Sequence, residues 1–403
     1  MTVYQVGGSV RDSLLGLPSN DNDYVVLNES PESMESKGFV AIGKDFPVFL
    51  HPVTKDEYAL ARKERSTGSS TMDFSCETAN VTLEEDLARR DLTMNAMAMD
   101  DEGTIIDPFD GRSDIENKVL RHTSEAFTED PVRVLRLARF RARLGYSWKV
   151  APETRVLVRS MWANLSTLQP DRVWKEVSQA LMEPNPRLFF DTLFECGVLE
   201  DVFPAVHELT QVREGSKHHR EATVYEHTMM MLELSANSSA YDLTLRLAIL
   251  FHDIGKPATY ATKGNSSGHD ARGLVEPFIR QLAMPSAMYE DVTTLVSNHT
   301  KVYKLHLMTH KSIAKFLFSY KRDRELLIKQ FRLAHADDEG RIADEGVRKV
   351  IHGVEALRTF DAMMTYSPKH WIFEQAKQPS GDAIKQHIHK FNIACVVKHF
   401  KDI

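Results

Sequence analysis

Two hydrophobic periods divide the chain. Up to about residue 110, apolar residues gather in short runs bounded by turn-forming residues, which is strand behaviour. Val3–Val6, Tyr24–Leu27, Phe46–His51 and Glu57–Arg62 are the predicted strands, and the turn Pro52–Asp56 joins the last two as a hairpin. Asp100-Asp101-Glu102-Gly103 sets a second hairpin between Met94–Met99 and Thr104–Ile106. Segment Ser66–Thr82, rich in Ser, Thr and Gly, reads as a mobile loop beside a site. From about residue 111 the spacing turns helical: Val132, Leu135, Leu137, Ala138 and Phe140 share one period, with arginines between them. Further helices are predicted at Pro152–Trp162, Asp171–Met182, Pro186–Cys196, Val224–Ser235, Tyr241–Phe251, Gly273–Leu282, His310–Phe318, Asp323–Ala334, Val347–Met364 and Gly381–Phe400. Pro184 with Pro186, and Gly264 to Gly268, mark breaks. The pattern predicts an α+β fold: a small mixed β-sheet followed by an all-α region.

Composition narrows the class. The chain is 42% hydrophobic and 27% charged, as in an ordinary globular protein. No apolar run approaches the ~20 residues of a membrane helix, so no membrane association is expected. The first residues lack a basic n-region and an apolar h-region, so no secretory signal is expected. Cys76, Cys196 and Cys395 are far apart and in no metal spacing, which predicts reduced thiols in a cytoplasmic protein. The net charge of −7 argues weakly against a nucleic-acid partner, but its distribution matters more. Between Arg133 and Arg159 stand eight basic residues against one acid, Glu153. That stripe is expected either to solvate a helix face or to follow a phosphate backbone.

The most informative chemistry lies near the start. Asp21 and Asp23 flank the head of the Tyr24–Leu27 strand and, with alternating side chains, project from one face. Two carboxylates on one face suit a pair of Mg²⁺ ions, the arrangement used in phosphoryl and nucleotidyl transfer. Upstream, Gly7-Gly8-Ser9-Val10-Arg11-Asp12 offers backbone N–H groups without a Cβ in the way, and Arg11 completes a phosphate cradle. In Glu85-Asp86-Leu87-Ala88-Arg89-Arg90-Asp91, Arg90 suits a triphosphate and Asp91 a ribose hydroxyl. Asp107-Pro108-Phe109-Asp110-Gly111 closes the sheet region. Asp130 and Arg133, three apart at a helix start, place an acceptor and a donor on one face, which suits the Watson–Crick edge of a base. Asp130 before Pro131 is also a helix cap, and the two readings are compatible.

Together, Gly7–Asp12, Asp21-Asn22-Asp23, Arg89-Arg90-Asp91, Leu120-Arg121-His122, Glu129-Asp130-x-x-Arg133 and Val134–Phe140 resemble, in order and spacing, the class II tRNA nucleotidyltransferases. These are the CCA-adding enzymes, here in the bacterial multifunctional form. The resemblance implies that Asp21 and Asp23 bind catalytic Mg²⁺, and that Gly8, Arg11 and Arg90 meet the nucleotide phosphates. It implies that Asp91 favours ribose, that Asp130 and Arg133 select CTP or ATP, and that Arg136 and Arg139 support that pocket. The implied partners are tRNA, CTP and ATP. The tRNA is laid along the helical part and recognised by acceptor-stem shape and phosphates, with the basic stripe at the contact. The implied organisation is a nucleotidyltransferase head at 1–110, a neck and body at 111–221, an HD domain at 222–340 and a helical tail at 341–403.

The C-terminal half carries Tyr225-Glu226-His227 and Phe251-His252-Asp253-Ile254-Gly255-Lys256, the pattern of the HD phosphohydrolase superfamily. Neutral imidazoles and carboxylates suit a divalent transition metal, Ni²⁺ or similar. His227, His252 and Asp253 are the expected ligands; Asp337 is the expected closing carboxylate, ahead of Asp338. His269 and His299 are assigned to the surroundings of the metal or to substrate. Thr259–Gly268 reads as a short polar loop. The resemblance implies removal of phosphate groups, including 2′,3′-cyclic phosphates and 2′-nucleotides, in tRNA 3′-end maturation and repair. The competing readings are an enzyme adding only A or only C, a poly(A) polymerase, and a non-catalytic tRNA-binding protein. The sequence leaves open monomer or dimer.

Overall fold

The computed structural model describes residues 1–18, 22–42, 48–66, 74–78, 80–213, 222–320, 323–341, 351–375 and 377–400. They form two compact units, Met1–Val202 and Phe203–Ile403.

The first unit is built on a sheet of seven strands: β1 (Thr2–Val6), β2 (Asp23–Leu27), β3 (Val40–Ile42), β4 (Val48–Leu50), β5 (Glu57–Leu60), then β8 (Ala98–Met99) and β9 (Ile105–Ile106). Between β5 and β8 the chain forms a separate hairpin, β6 (Lys63–Ser66) against β7 (Phe74–Glu77). The sheet order is β3-β4-β5-β2-β1-β8-β9; β2 and β5 run parallel and the other pairs are antiparallel. Strand β2 reads as continuously apolar because both faces of the sheet are covered. Val25 packs with Val6, Leu87 and Ala98 on one face. Its neighbour Val26 packs with Met34, Phe39 and Phe49 on the other.

Register brings the site together. Val6, the last residue of β1, lies opposite Asp23, the first of β2, and opposite Ala98 on its other side. The Gly7-Gly8 turn therefore emerges beside Asp23. Gly7 has φ +71°, a left-handed conformation that suits glycine, and a Cβ there would stand 2.8 Å from Arg90 Nη1. After the sheet, helix Val132–Leu144 packs against helices Pro170–Met182 and Arg187–Glu195.

The second unit is helical throughout its described residues. Helix Leu243–Phe251 is its centre: Leu245, Leu247, Ala248, Ile249 and Leu250 are all buried. A helix apolar on every side must be surrounded. Helices Val224–Ala236, Ser286–Asn298 and Arg324–Glu339 pack around it. No helix among the described residues is long and apolar enough to cross a membrane.

Several expectations are corrected. Ser66–Thr82 is not one loop: Phe74–Glu77 pairs with Lys63–Ser66, and 67–73 lie outside the described residues. Met94–Met99 is a strand only at Ala98–Met99, because Thr93–Asn95 forms a 3₁₀ turn. The region beyond residue 111 is not purely helical: β10 (Val119–Leu120) pairs in parallel with β11 (Lys149–Val150). Thr259–Lys263 belongs to helix Lys256–Lys263, and only the stretch from Gly264 (φ +68°) is loop. The start of the predicted helix Val347–Met364 falls outside the described residues; the helix seen is Gly353–Thr365.

Candidate nucleotide site and metal centre

At the end of β1 and β2 a cavity of about 500 Å³ opens in the first unit. The sheet edge supplies Gly7, Gly8 and Asp23, the segment after helix Leu83–Ala88 supplies Arg89, Arg90, Asp91 and Asn95, and the helix Val132–Leu144 region supplies Asp130, Arg133 and Arg136. Arg11 completes the near wall. Of the nucleotide residues expected from sequence, only Arg139 does not line it; that side chain is turned to Glu176 at 2.6 Å and Glu183 at 3.7 Å. Asp21 lies outside the described residues.

The local sequence explains each placement. Thr82 and Glu85 form a capping box that starts helix Leu83–Ala88. The helix ends at Arg89, so Arg89 and Arg90 leave its last turn toward the cavity while Asp86, fully buried, ion-pairs both at 2.9 and 3.4 Å. Burial alone would raise the Asp86 carboxyl, but the two guanidinium charges outweigh it and hold it below the usual range. Asp91 behaves likewise: burial opposes ionisation, and Arg136 at 2.7 Å with the amide of Asn95 outweighs it.

These groups form one connected lattice. Asp12 accepts from Arg11; Arg11 donates to Asn95 Oδ1 at 2.6 Å; Asn95 donates to Asp91 Oδ1 at 2.8 Å; Arg136 donates to Asp91 Oδ2. Such a lattice fixes charges in place before a ligand arrives. Seven basic side chains face four acidic ones around the cavity, an excess of positive charge that suits a triphosphate.

Asp130 departs from its expected geometry. It stands in extended conformation just before the helix, so it does not share a helix face with Arg133. Its Oδ1 accepts the Val132 N–H at 3.1 Å, which is the capping role, and its Oδ2 pairs with Arg172 at 2.7 Å. Arg133 donates to the carbonyl of Ala126 at 2.6 Å. The basic stripe is likewise neither a solvated face nor a phosphate track. Arg136, Arg139, Arg141 and Arg143 reach inward to Asp91, Glu176, Glu195 and Asp12. Sequence reasoning missed Arg172, Lys175 and Glu176, which line the cavity from helix Pro170–Met182. No local motif marks them; Asn95 alone had a signal, four residues after Asp91.

In the second unit, His227 comes from helix Val224–Ala236, and His252 and Asp253 follow directly on helix Leu243–Phe251. Asp337 comes from helix Arg324–Glu339. All four are buried. His227 Nε2 lies 3.2 Å from Asp337 Oδ1, and ligand atoms of His227, His252 and Asp337 fall within 4.8 Å of one another. Asp338 instead pairs with Arg341. Tyr303, unforeseen from sequence, donates to Asp337 Oδ2 at 2.6 Å. His252 Nε2 has no aligned hydrogen-bond partner among the described residues, although Asp253 Oδ2 lies 3.0 Å away. A buried orphan imidazole nitrogen in a His/Asp group fits a metal ligand. Asp253 is held well below the usual carboxylate range: burial opposes this, and the charges of His252 and Lys256 outweigh it.

Comparison with known proteins follows these two sites. The sequence matches the family described as "Poly A polymerase head domain" over residues 3–121. It matches "Probable RNA and SrmB- binding site of polymerase A" over 148–210 and "HD domain" over 224–341. It is 46% identical over 312 residues to the "Multifunctional CCA protein" of Acinetobacter baumannii (strain AYE), covering 76% of each chain. It is 46% identical over 325 residues to the protein of that name from Pseudoalteromonas atlantica (strain T6c), covering 79% of this chain and 80% of the other. The fold is that of the Bacillus stearothermophilus CCA-adding enzyme in complex with CTP (TM-score 0.66, 24% identity, 98% and 89% covered). It is also that of the Thermotoga maritima CCA-adding enzyme complexed with tRNA (TM-score 0.62, 19% identity, 100% and 88% covered). At this identity and coverage the chain belongs to the multifunctional CCA proteins, CCA-adding tRNA nucleotidyltransferases that carry an HD domain.

Proposed function

We propose that this chain adds C, C and A to the 3′ end of tRNA from CTP and ATP at the Asp23 cavity, and removes phosphate groups from RNA ends at the His252–Asp253 centre. The observation that carries the first half is the cavity, where an excess of fixed positive charge surrounds Asp23 and the Gly7-Gly8 turn. The working division is a head at 1–110, neck and body at 111–221, an HD domain at 222–340 and a tail at 341–403. The cellular setting proposed is cytoplasmic, in keeping with the free thiols of Cys196 and Cys395.

Within the cavity, Arg11 and Arg90 hold the triphosphate against the turn at Gly8, and Arg90 Nε, buried with no partner among the described residues, has a donor to spare. Asp91 keeps accepting capacity beyond its three hydrogen bonds for a ribose hydroxyl. Asp130 and Arg133 read the base edge, and Arg136 and Arg139 hold the wall behind them. The tRNA 3′-hydroxyl attacks the α-phosphate in line, and pyrophosphate leaves toward the arginines. Asp23, with Asp21, offers the hard oxygen donors that suit Mg²⁺, which when bound supplies charge stabilisation to the attacking and leaving oxygens. At the second centre His227, His252, Asp253 and Asp337 hold a divalent transition metal, Ni²⁺ or similar, which supplies Lewis acidity toward a phosphate. Lys256, 2.8 Å from Asp253, places a cation beside it.

Asp23→Ala and His252→Ala test the assignment. Asp23→Ala is expected to lower nucleotide addition at least about 100-fold, given the several kcal/mol a metal contributes, and to leave phosphatase activity intact. His252→Ala is expected to do the reverse. If either substitution removed both activities in a folded protein, the two-centre reading would be wrong.

A further inference from the structure

The buried cluster of the second unit is larger than one metal requires. Beyond His227, His252 and Asp337, a second group of potential ligands stands beside it: Asp253, His269 and His299, all buried. The tautomer of every histidine is set by a backbone carbonyl. Nδ1 faces the carbonyl of Gly340 in His227 (3.3 Å), of Ile249 in His252 (2.8 Å), of Ser266 in His269 (2.6 Å) and of Val296 in His299 (2.7 Å). A carbonyl only accepts, so each Nδ1 carries the hydrogen and each Nε2 presents a lone pair inward.

The consequence is sharpest in the second group. His269 Nε2 and His299 Nε2 are 3.1 Å apart, and both face Asp253 Oδ1, at 3.0 and 3.7 Å. Three acceptors converge with no hydrogen of their own to share, so a cation belongs between them. Metal–nitrogen bonds of about 2.1 Å in tetrahedral array put ligand atoms roughly 3.4 Å apart, the spacing seen here. The two oxygens of Asp253 divide between the groups: Oδ2 lies 3.0 Å from His252 Nε2, while Oδ1 faces His269 and His299. Gly255 makes this possible, since a Cβ there would stand 2.1 Å from the carbonyl oxygen of His269.

We propose that the second unit holds two divalent transition-metal ions, one at His227, His252 and Asp337 and one at His269 and His299, with the Asp253 carboxylate bridging them. This rests on the single-metal reading above and extends it. Two cations plus Lys256 leave positive charge that the two aspartates do not balance, which suits a doubly charged phosphomonoester.

The test is metal content of the full chain, carrying Asp21→Ala and Asp23→Ala so that the head contributes nothing. The protein is stripped with chelator, reloaded with Co²⁺ and desalted. About two equivalents are expected per chain, falling to about one with His299→Ala. Mn²⁺-loaded protein, with no change in the second unit, gives an independent readout: a carboxylate-bridged pair produces an exchange-coupled electron paramagnetic resonance spectrum. One equivalent, unaffected by His299→Ala and lost with His252→Ala, with isolated-ion Mn²⁺ spectra, would overturn the second metal and leave the single-metal reading standing. No retained metal at all would overturn both.

Discussion

At the residue scale, the cavity is governed by side chains whose partners lie far along the chain. Asp130 and Arg172 are 42 positions apart, and only the packing of helix Val132–Leu144 on Pro170–Met182 joins them. That is why Arg172 was illegible in sequence while Asp130, beside Pro131 and three before Arg133, was not. The stripe of arginines was misread for the same reason: charge runs are visible in sequence, and their carboxylate partners Asp12, Asp91, Glu176 and Glu195 are not. Because Arg172 fixes Asp130 Oδ2, its loss frees the carboxylate to turn. Arg172→Ala is therefore expected to erode discrimination among CTP, ATP, GTP and UTP, as Asp130→Ala does, with tRNA binding weakened far less. The pair acts as a unit, so the double variant is expected to be no worse than Asp130→Ala. Additive losses in single-turnover incorporation would show that Arg172 acts on something else.

At the scale of elements, what was legible followed local rules. Strands β1 and β2 came from apolar runs. Beyond residue 111 a 3.6-residue period marked helices such as His310–Phe318, which has the predicted limits. What failed was short or tertiary: the two-residue strands β10 and β11 lie too far apart in sequence to announce their pairing, and Thr93–Asn95 has strand-like residues in a 3₁₀ turn. Two glycines of the second unit show how backbone placement decides a substitution. At Gly255 a Cβ meets the backbone of His269, which cannot rotate away, so Gly255→Ala is expected to cost about 1–3 kcal/mol and lower metal retention. At Gly264 the backbone is left-handed but a Cβ meets nothing within 4 Å, so Gly264→Ala is expected to cost only about 1–2 kcal/mol and to spare the metal. Denaturant titration with metal analysis separates the two. Equal metal loss would contradict the account of how His269 is placed.

At the scale of the whole molecule, charge governs both stability and chemistry. Asp86 and Asp91 are held below their ordinary value of 3.8 in the folded state. A depressed carboxylate stabilises the fold above its unfolded pKa, and that contribution is lost as pH falls through the folded value. The first unit is therefore expected to lose stability below about pH 4. Thermal melting followed by tryptophan fluorescence should show the transition moving down there, and a transition unmoved between about pH 5 and pH 3 would contradict the ionised pairs. The central claim is that fixed side chains around the Asp23 cavity select the nucleotides in order. It is tested most directly by offering labelled CTP and ATP, separately and together, with Mg²⁺, to a tRNA that lacks its 3′ end. The account predicts C from CTP alone, nothing from ATP alone on that substrate, and C, C, A and then arrest with both. Long A tracts, addition of one nucleotide type only, or no incorporation at all would contradict it.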